Sequence, residues 1–348
     1  MGIGSMALML KRSFFFLLSV LTVLLMSTVR YDGNRTINQQ LVEAGVLTLP
    51  SFLLPAPEVV PAPEVVASLI TEVVPLPEAE EEKKVPGLRG RMDEELKKEL
   101  KRKLEANPTW RKLLRNKRMS VGIVDMSEED NVKYAALNGR HMMYAASLPK
   151  IAVLAAAHDA IERGELKETA EVKRDMLLMI AKSNNAATTR MIDRIGFDKI
   201  ERTMTDPDLK LYDPAFGGGL WVGKRYAAGG KRSPDPIKGI SHAATTEQIC
   251  RYFYLLANDQ LVSEESSEKM RSYLVDPQLH HKFVNTLDRI APNAKVYRKS
   301  GSWSSFHADV AMVQGPGRNY IMTALVDDPA GEKICRELAA VLDGILKE

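Results

Sequence analysis

Cysteine is scarce in this sequence, which has only Cys250 and Cys335 among 348 residues. No cluster of cysteine and histidine shows the spacing of a metal site, so the sequence predicts neither a metal nor another cofactor. The two cysteines are far apart, and a disulfide between them stays open at this point. We interpret them as buried free thiols, because unpaired cysteine is among the most buried residue types.

An excess of charge of either sign is also missing. The formal net charge is +3, and the first 30 residues hold Lys11, Arg12 and Arg30 without any acidic residue. The rest of the chain is therefore balanced, and it shows no basic stripe of the kind that a nucleic-acid-binding surface needs. Apolar residues make up 45% and charged residues 27%, as in an ordinary globular protein.

One long uncharged apolar run, residues 13–29, follows Lys11 and Arg12. This order is typical of an export signal, and the length is at the short end for a membrane-spanning helix. Because no clear cleavage site and no lipid-attachment cysteine follow, residues 1–30 are predicted to be an uncleaved signal anchor, with a cleaved signal peptide as the alternative. The basic N-terminal flank predicts that the rest of the chain lies outside the cytoplasm, in the cell envelope.

Residues 31–90 contain eight of the 18 prolines, and the hexapeptide PAPEVV occurs in tandem at 55–60 and 61–66. Proline at this density prevents helices and central strands and favours an extended, semi-rigid spacer. The segment is therefore predicted to hold the folded part away from the membrane.

Residues 91–348 are predicted to form the folded domain. The pattern begins with a helix interrupted at Pro108, followed by strands at 119–126 and 132–139. A block of helices starts at Ser147, a Gly- and Pro-rich loop covers 205–240, and three strands and a helix complete the chain. This order predicts an α+β fold, an α/β/α sandwich whose antiparallel sheet is built from both ends of the domain, with flanking helices and a helical lobe.

Three short motifs occur in order along this domain: Ser-Leu-Pro-Lys at 147–150, Ser-Asn-Asn at 183–185 and Lys-Ser-Gly at 299–301. Each motif alone is weak. A second Ser-x-x-Lys at 266–269 shows this, since it lies in a polar, acidic stretch that we expect to be exposed, with no Ser-x-Asn motif after it. The ordered set carries the signal, because each motif falls in a matching element.

The three motifs resemble those of the active-site-serine, penicillin-recognising family, which comprises the class A β-lactamases and the related D,D-peptidases. The resemblance extends to the helix around the second motif, the helices after the long loop and the strands after the third motif. It implies a β-lactamase/transpeptidase-like fold and a serine hydrolase. The implied substrates are β-lactams or peptidoglycan stem-peptide-like compounds that end in D-Ala-D-Ala.

Ser147 would be the nucleophile and Lys150 its base. Residues three apart share a helix face, and a buried lysine beside another cation, here Lys299, has a lowered pKa. The resemblance further implies that Ser183 relays a proton to the leaving nitrogen and that Asn185 holds Lys150 and a substrate amide.

The backbone N–H groups of Ser147 and Ser302 would form the oxyanion hole. Substrate binding would involve Lys299 and Ser300 at the substrate carboxylate, and Gly301 would let the substrate backbone approach the strand. His307 lies where some relatives carry a basic residue for that carboxylate, although a structural role is an equal alternative.

Class A enzymes carry a Glu-x-x-Leu-Asn motif whose glutamate activates the deacylating water, and this sequence lacks the motif. Glu201 is the only glutamate between Asn185 and Glu247, and it is predicted to lie on a helix surface. Four aspartates of the loop remain without an assigned role: Asp206, Asp208, Asp213 and Asp235.

Three hypotheses follow from this departure. The first is a β-lactamase-like hydrolase that uses another base, or Lys150 itself, for deacylation. The second is a penicillin-binding D,D-peptidase in which Lys150 and Ser183 serve both half-reactions, and the third is a non-catalytic envelope module. The intact set of motifs argues against the third.

Overall fold

The computed structural model describes residues 87–347. Their ten α-helices are α1 Glu94–Glu105, α2 Pro108–Arg115, α3 Lys150–Glu162, α4 Ala170–Ala181, α5 Asn185–Ile195, α6 Phe197–Thr205, α7 Thr246–Ala257, α8 Glu264–Leu274, α9 Phe283–Ile290 and α10 Gly331–Leu346. Their strands are β1 Met119–Asp125, β2 Lys133–Leu137, β3 Met143–Tyr144, β4 Tyr212–Asp213, β5 Gly218–Gly219, β6 Trp221–Val222, β7 His242–Ala244, β8 Lys295–Trp303, β9 Phe306–Gly315 and β10 Arg318–Asp327.

The main sheet has five antiparallel strands in the order β2-β1-β10-β9-β8. Strands β1 and β2 come from the start of the domain and β8 to β10 from its end, so the prediction of a sheet built from both ends is confirmed. Pairing of β1 with β10 joins the two parts, with Met119 opposite Val326 and Asp125 opposite Tyr320. Strand β8, which carries the third motif, lies at the edge of this sheet.

The sheet is covered on both faces, because its buried strands carry apolar side chains on alternate sides. On β10, Tyr320, Met322 and Ala324 belong to one apolar core, whereas Ile321 and Leu325 belong to the other. Helices α1, α2, α9 and α10 contribute to the first core, and α3 to α8 contribute to the second. The α/β/α arrangement is therefore confirmed.

Helix α7 packs closely against β1, and a glycine makes this possible. A Cβ atom on Gly122 would lie 3.0 Å from Cys250 Sγ of α7. Beside it, the Ser120 and Thr246 hydroxyls form a buried hydrogen bond of 2.7 Å. Both Cys250 and Cys335 are buried free thiols, as predicted.

Helices α3, α4, α5, α6 and α8 form the predicted helical lobe. Helix α3 is buried along most of its length, since ten of its residues from Lys150 to Ala160 are inaccessible. This explains its alanine-rich, weakly amphipathic sequence, because a helix that is apolar all round is a buried one. The N-terminus of α3 therefore has a fixed position relative to the sheet.

Two predictions need correction. Helix α3 begins at Lys150 rather than at Ser147, because residues 146–149 form a turn before it. The second Ser-x-x-Lys is not fully exposed: Ser266 is only 3% accessible on α8, and its hydroxyl contacts Glu162 of α3 at 2.5 Å. The polar composition was misleading because α8 buries its serines against a neighbouring helix.

The predicted anchor and nearly all of the predicted spacer lie outside the described residues. Leu88 is buried in the core, just before the predicted domain start at residue 91. Within residues 87–347, no helix has the length and apolarity required to cross a membrane. In the same part of the chain, no three His, Cys, Asp or Glu side chains come together as metal ligands.

Candidate active site

Ser147 lies in the turn that joins β3 to α3. The preceding residue, Ala146, has a φ of 51°, in the left-handed region that non-glycine residues rarely adopt. Such strained residues tend to cluster at functional sites. Ser147 is half-buried, and within residues 87–347 its hydroxyl makes no hydrogen bond. A serine held here lies near the positive end of the α3 dipole.

Lys150 is the first residue of α3, and its side chain is fully buried. Its Nζ donates to the Ser183 carbonyl oxygen at 2.5 Å, to Ser183 Oγ at 3.2 Å and to Asn185 Oδ1 at 2.8 Å. The predicted proximity of these three residues is thus observed. As an ammonium, Lys150 commits its three protons to these partners. The neutral amine has the lone pair that a base needs. Within residues 87–347 no hydrogen bond joins Lys150 Nζ to the Ser147 hydroxyl.

Ser183 occupies the connection between α4 and α5 and has a φ of 53°. The Asn184 side chain caps α5 by accepting from Ala187 N at 2.8 Å, which fixes the start of the helix. This cap positions Asn185, the first residue of α5, and turns Ser183 toward the two lysines. The sequence Ser-Asn-Asn therefore combines a strained residue, a helix cap and a ligand for Lys150.

Lys299 reaches the same hydroxyl from the sheet. Its Nζ donates to Ser183 Oγ at 3.0 Å and to the Ser300 carbonyl at 2.9 Å. Lys299 is 1% accessible, so both lysines of the predicted site are buried. A hydroxyl that accepts from two amines is polarised and well placed to give its own proton to a third group.

The two lysines have lowered pKa values. Burial, which penalises the charged form, lowers the pKa of Lys150 to about 7. Burial also lowers the pKa of Lys299 well below its usual range, and the nearby charge of Lys150 adds to the effect. At neutral pH an ordinary lysine is less than about 0.1% neutral. Lys150 is about half neutral, since its pKa is about 7.

This pKa makes a pH dependence testable. A base must be unprotonated, so the rate of acylation at Ser147 should rise with pH, with its midpoint near the Lys150 pKa of about 7. The measurement is the rate constant for acylation of the protein by a fluorescent penicillin, from about pH 5 to about pH 10 at constant ionic strength. A flat profile, or a midpoint near that of an ordinary lysine, would contradict the assignment of Lys150 as the base.

Gly301 brings the edge strand β8 against the turn that holds Ser147. A Cβ atom on Gly301 would lie 2.2 Å from the Ala145 carbonyl oxygen and 2.7 Å from Ser147 N, so only glycine fits. The next residue, Ser302, is exposed on the same strand. The two predicted oxyanion donors, Ser147 and Ser302, thus lie on neighbouring segments of backbone.

The other predicted substrate residues lie on β8 and β9. Ser300 has its hydroxyl 3.4 Å from His281 Nε2, while the adjacent Lys299 points to Ser183, as alternation along a strand requires. His307 lies opposite Ser302 in the sheet, and its ring packs close to Gly331. Its Nδ1 is buried and has no hydrogen-bond partner among residues 87–347. The structure places both residues beside the third motif without assigning them a ligand.

The aspartates of the long loop have structural partners. Asp235 accepts from the backbone N–H of Ile237 at 3.0 Å and of Lys238 at 2.9 Å. Asp213 pairs with Arg89 at 3.1 Å, and Asp206 accepts from the Asp208 backbone N–H at 2.9 Å. These contacts tie the three carboxylates to the architecture of the loop.

From the same loop, the ring of Tyr226 reaches Lys150, with its centroid 4.7 Å from Nζ. The Tyr226 hydroxyl donates to the Ala146 carbonyl at 3.1 Å, and its ring packs on His242 at 4.2 Å between centroids. Tyr226 could not be identified from the sequence, because a lone tyrosine in a Gly-rich loop belongs to no motif. Within residues 87–347, the long loop thus places an aromatic ring beside Lys150.

Comparison with solved structures places the fold among penicillin-recognising proteins. The β-lactamase of Sphaerobacter thermophilus matches with 20% identity and a TM-score of 0.53, over 65% of this chain and 89% of that one. A β-lactamase of Xanthomonas campestris pv. campestris matches with 15% identity and a TM-score of 0.54, over 72% and 98%.

A variant of PBP-A, solved as an acyl-enzyme complex with penicillin G, is similarly related. It shows 16% identity and a TM-score of 0.53, over 74% of this chain and 97% of that one. At these identities the likeness shows the fold alone. No curated protein matches the chain.

A family model described as the β-lactamase enzyme family matches residues 170–344. The match covers half of the chain and includes the second and third motifs, while the first motif precedes it. Together with the α+β fold and the convergence of the three motifs, this match shows that the chain belongs to the β-lactamase enzyme family.

Proposed function

We propose that this protein is an active-site-serine hydrolase that forms an acyl-enzyme at Ser147 with β-lactams or related D-Ala-D-Ala-like amides. One observation carries the proposal: buried Lys150 and buried Lys299 both donate to Ser183 Oγ, at 3.2 and 3.0 Å. This arrangement would supply a base and a proton relay close in sequence to Ser147, whose hydroxyl makes no hydrogen bond within residues 87–347. A purely structural role of Ser183 would not require two buried amines to donate to its hydroxyl.

In the proposed acylation, neutral Lys150 removes the proton of Ser147, whose oxygen attacks the amide carbonyl carbon. A serine hydroxyl is a weak nucleophile until a base takes its proton. The new C–O bond forms as the carbonyl π electrons move to oxygen, which gives a tetrahedral oxyanion. The carbonyl then re-forms as the C–N bond breaks, and the Ser183 hydroxyl gives its proton to the leaving nitrogen. Lys150 then returns a proton to Ser183 across their 3.2 Å contact.

Two further groups of residues would hold the substrate in this scheme. The N–H groups of Ser147 and Ser302 would stabilise the oxyanion, and each such donor is worth on the order of 3 kcal/mol. Lys299 and Ser300, with His307 beside them, would meet the substrate carboxylate. Asn185 would hold a substrate amide besides Lys150.

The fate of the acyl-enzyme separates two versions of the proposal, a β-lactamase and a penicillin-binding D,D-peptidase. The contact of Tyr226 with Lys150 favours the second version, because the ring occupies space beside the base and its hydroxyl donates to Ala146. A donor engaged in this way does not activate water. We therefore expect slow hydrolysis of the ester that a β-lactam forms with Ser147. On peptide substrates, Lys150 and Ser183 would serve both half-reactions.

The experiment uses the purified full-length chain with a fluorescent penicillin, a chromogenic cephalosporin and a peptide ending in D-Ala-D-Ala. Stable labelling with little cephalosporin turnover, and release of D-alanine, is the result expected for the D,D-peptidase. Rapid cephalosporin turnover would assign the β-lactamase instead. Absence of labelling, turnover and peptide cleavage would refute the proposed function.

Replacing Tyr226 by glutamate should speed deacylation. The new carboxylate would lie near Lys150 and could take a proton from water, and general-base catalysis contributes 10² or more when well placed, so we expect up to about a hundredfold faster release. The measurement is the decay of the penicilloyl-enzyme, with Tyr226→Gln as the control of matched size. Equal decay in the two variants would show that space, rather than a base, limits deacylation.

We further propose that the protein is exported and held at the outer face of the membrane. The support comes from the apolar run at residues 13–29 after Lys11 and Arg12, and from the proline-rich segment before the domain. A tethered domain on a spacer suits a cell-wall substrate. Protease accessibility of the domain in intact cells, compared with lysed cells, tests this location.

A further inference from the structure

Lys282 is a buried lysine that belongs to none of the three motifs. Its side chain is inaccessible, although lysine is almost never fully buried without a partner. Its backbone has φ 55° and ψ −124°, a conformation that residues other than glycine rarely adopt. Lys282 therefore combines a buried amine with a strained backbone directly before α9.

The amine contacts the backbone of the β8–β9 hairpin. Lys282 Nζ donates to the carbonyl oxygen of Gly301 in a short hydrogen bond and to that of Ala308 at 3.1 Å. Gly301 and Ala308 are partners in the register of these strands. Lys282 therefore binds the third motif from behind and connects its glycine to the next strand.

Because the Gly301–Ser302 peptide group is planar, the contact of Lys282 with the Gly301 carbonyl also affects the direction of the Ser302 N–H. The bond between Gly301 and Ser302 is trans, as there are no cis peptide bonds among the described residues. In a planar trans peptide, the C=O and the N–H point in opposite directions. A lysine that fixes the Gly301 carbonyl on one side thus fixes the Ser302 N–H on the other side of the strand.

The packing of Gly301 on the first motif brings this peptide group to the nucleophile. The space beside the Gly301 Cα is filled by the backbone of the Ser147 turn, where a Cβ would lie 2.7 Å from Ser147 N. β8 is the edge strand, so an N–H that points away from β9 has no further strand to pair with. Such an N–H is available to a substrate.

The groups around Lys282 act on its charge in opposite directions. Asp309, on β9, accepts from Phe283 N at 3.0 Å and forms a buried ion pair with Arg298 at 2.7 Å. Burial lowers the pKa of Lys282, whereas the Asp309 carboxylate opposes this shift. A cationic donor on a carbonyl oxygen polarises the whole amide, because hydrogen bonds in a chain strengthen one another.

We propose that Lys282 is a positioning residue for the oxyanion hole, which orients and polarises the Gly301–Ser302 peptide so that the Ser302 N–H stabilises the developing oxyanion at Ser147. This inference rests on the proposed function and adds a residue that lies behind the strand and does not touch the substrate. It predicts that Lys282 affects the reaction step more than the binding of substrate.

The test compares full-length wild type with Lys282→Met, which keeps the chain length and removes the charge and its donors. The acylation rate constant at saturating penicillin should fall about tenfold to a hundredfold, less than the 10²–10³ for complete loss of a donor. The concentration for half-maximal rate should change little. In the penicilloyl-enzyme, the infrared stretch of the ester carbonyl should move to higher frequency, because the carbonyl is less polarised.

Lys199→Met is the matched control, since Lys199 is also buried, at 4% accessibility, but pairs with Asp159 and Glu165 of the helical lobe. The control should keep the wild-type carbonyl frequency even where it lowers the melting temperature. A second variant, Lys282→Gln, keeps a neutral donor and should give an intermediate frequency. The frequency is measured only on acylated, hence folded, molecules, so partial unfolding of a variant does not mimic the effect.

The outcomes separate the two proposals. Suppose that penicillin labels the wild type and that Lys282→Met has the same acylation rate and the same ester carbonyl frequency. This result would overturn the role of Lys282 and leave the proposed function intact. An equal frequency shift in Lys199→Met would overturn it as well. A wild type that no penicillin labels would overturn the proposed function and this inference together.

Discussion

Replacement of Ser147 by alanine is expected to abolish covalent labelling by penicillin altogether. The substitution removes only the hydroxyl group, whose oxygen would form the ester. Because the Ser147 hydroxyl makes no hydrogen bond within residues 87–347, its loss should leave the free energy of unfolding almost unchanged. Labelling is measured by in-gel fluorescence and stability by thermal melting.

The chain supplies a matched control for this variant in its second Ser-x-x-Lys. Ser266→Ala removes a serine of the same local pattern, whose hydroxyl contacts Glu162 at 2.5 Å. This control should lower stability by about 1 kcal/mol, the usual worth of a hydrogen bond, and retain labelling. Labelling that survives in Ser147→Ala, or that is lost in Ser266→Ala with the fold intact, would contradict the assignment of the nucleophile.

Replacement of Lys150 by methionine should slow acylation by on the order of 10³-fold, within the range for loss of a general base. Methionine fills the buried space but offers neither a lone pair nor a donor to Ser183 and Asn185. The pH dependence with a midpoint near the Lys150 pKa of about 7 should also vanish. Stopped-flow acylation by a fluorescent penicillin measures both effects.

Lys269→Met is the corresponding control from the second pattern. Lys269 pairs with Glu265 at 2.8 Å at the surface of α8, and such pairs contribute little. Its removal should leave the acylation rate and the pH profile unchanged. If Lys150→Met is acylated at the wild-type rate, a different residue is the base and the role of Ser183 must be revised with it.

Most of the fold follows from patterns in the sequence. Strands β1, β9 and β10 are largely buried apolar runs. Several helices have clear caps, such as Thr245 at α7, whose side chain accepts from Gln248 N at 3.3 Å. Because sequence neighbours among strands usually pair, the sheet could be assembled from the two ends of the domain. Helix α9 was missed, since it is only eight residues long and starts at the strained Lys282.

The site was predicted only in part, for a physical reason. Ser147, Lys150, Ser183 and Lys299 belong to short motifs, and the structure brings the two lysines to the Ser183 hydroxyl. The expected reach of Lys150 to the Ser147 hydroxyl stays a prediction. Tyr226 and Lys282 carry no local signal, because their contacts are made by a loop and by the residue before a helix, across long sequence separations. The burial of Ser266 was mispredicted for a similar reason, as composition does not reveal which face of a helix packs.

The most direct test of the central claim is the mass of the full-length chain after mixing with penicillin G and acid quenching at intervals from seconds to hours. The account predicts one intact penicillin per chain, located by peptide mapping on the peptide that contains Ser147, and only slow loss of the adduct. An adduct on any other residue, or neither adduct nor penicillin hydrolysis at any time, would contradict it.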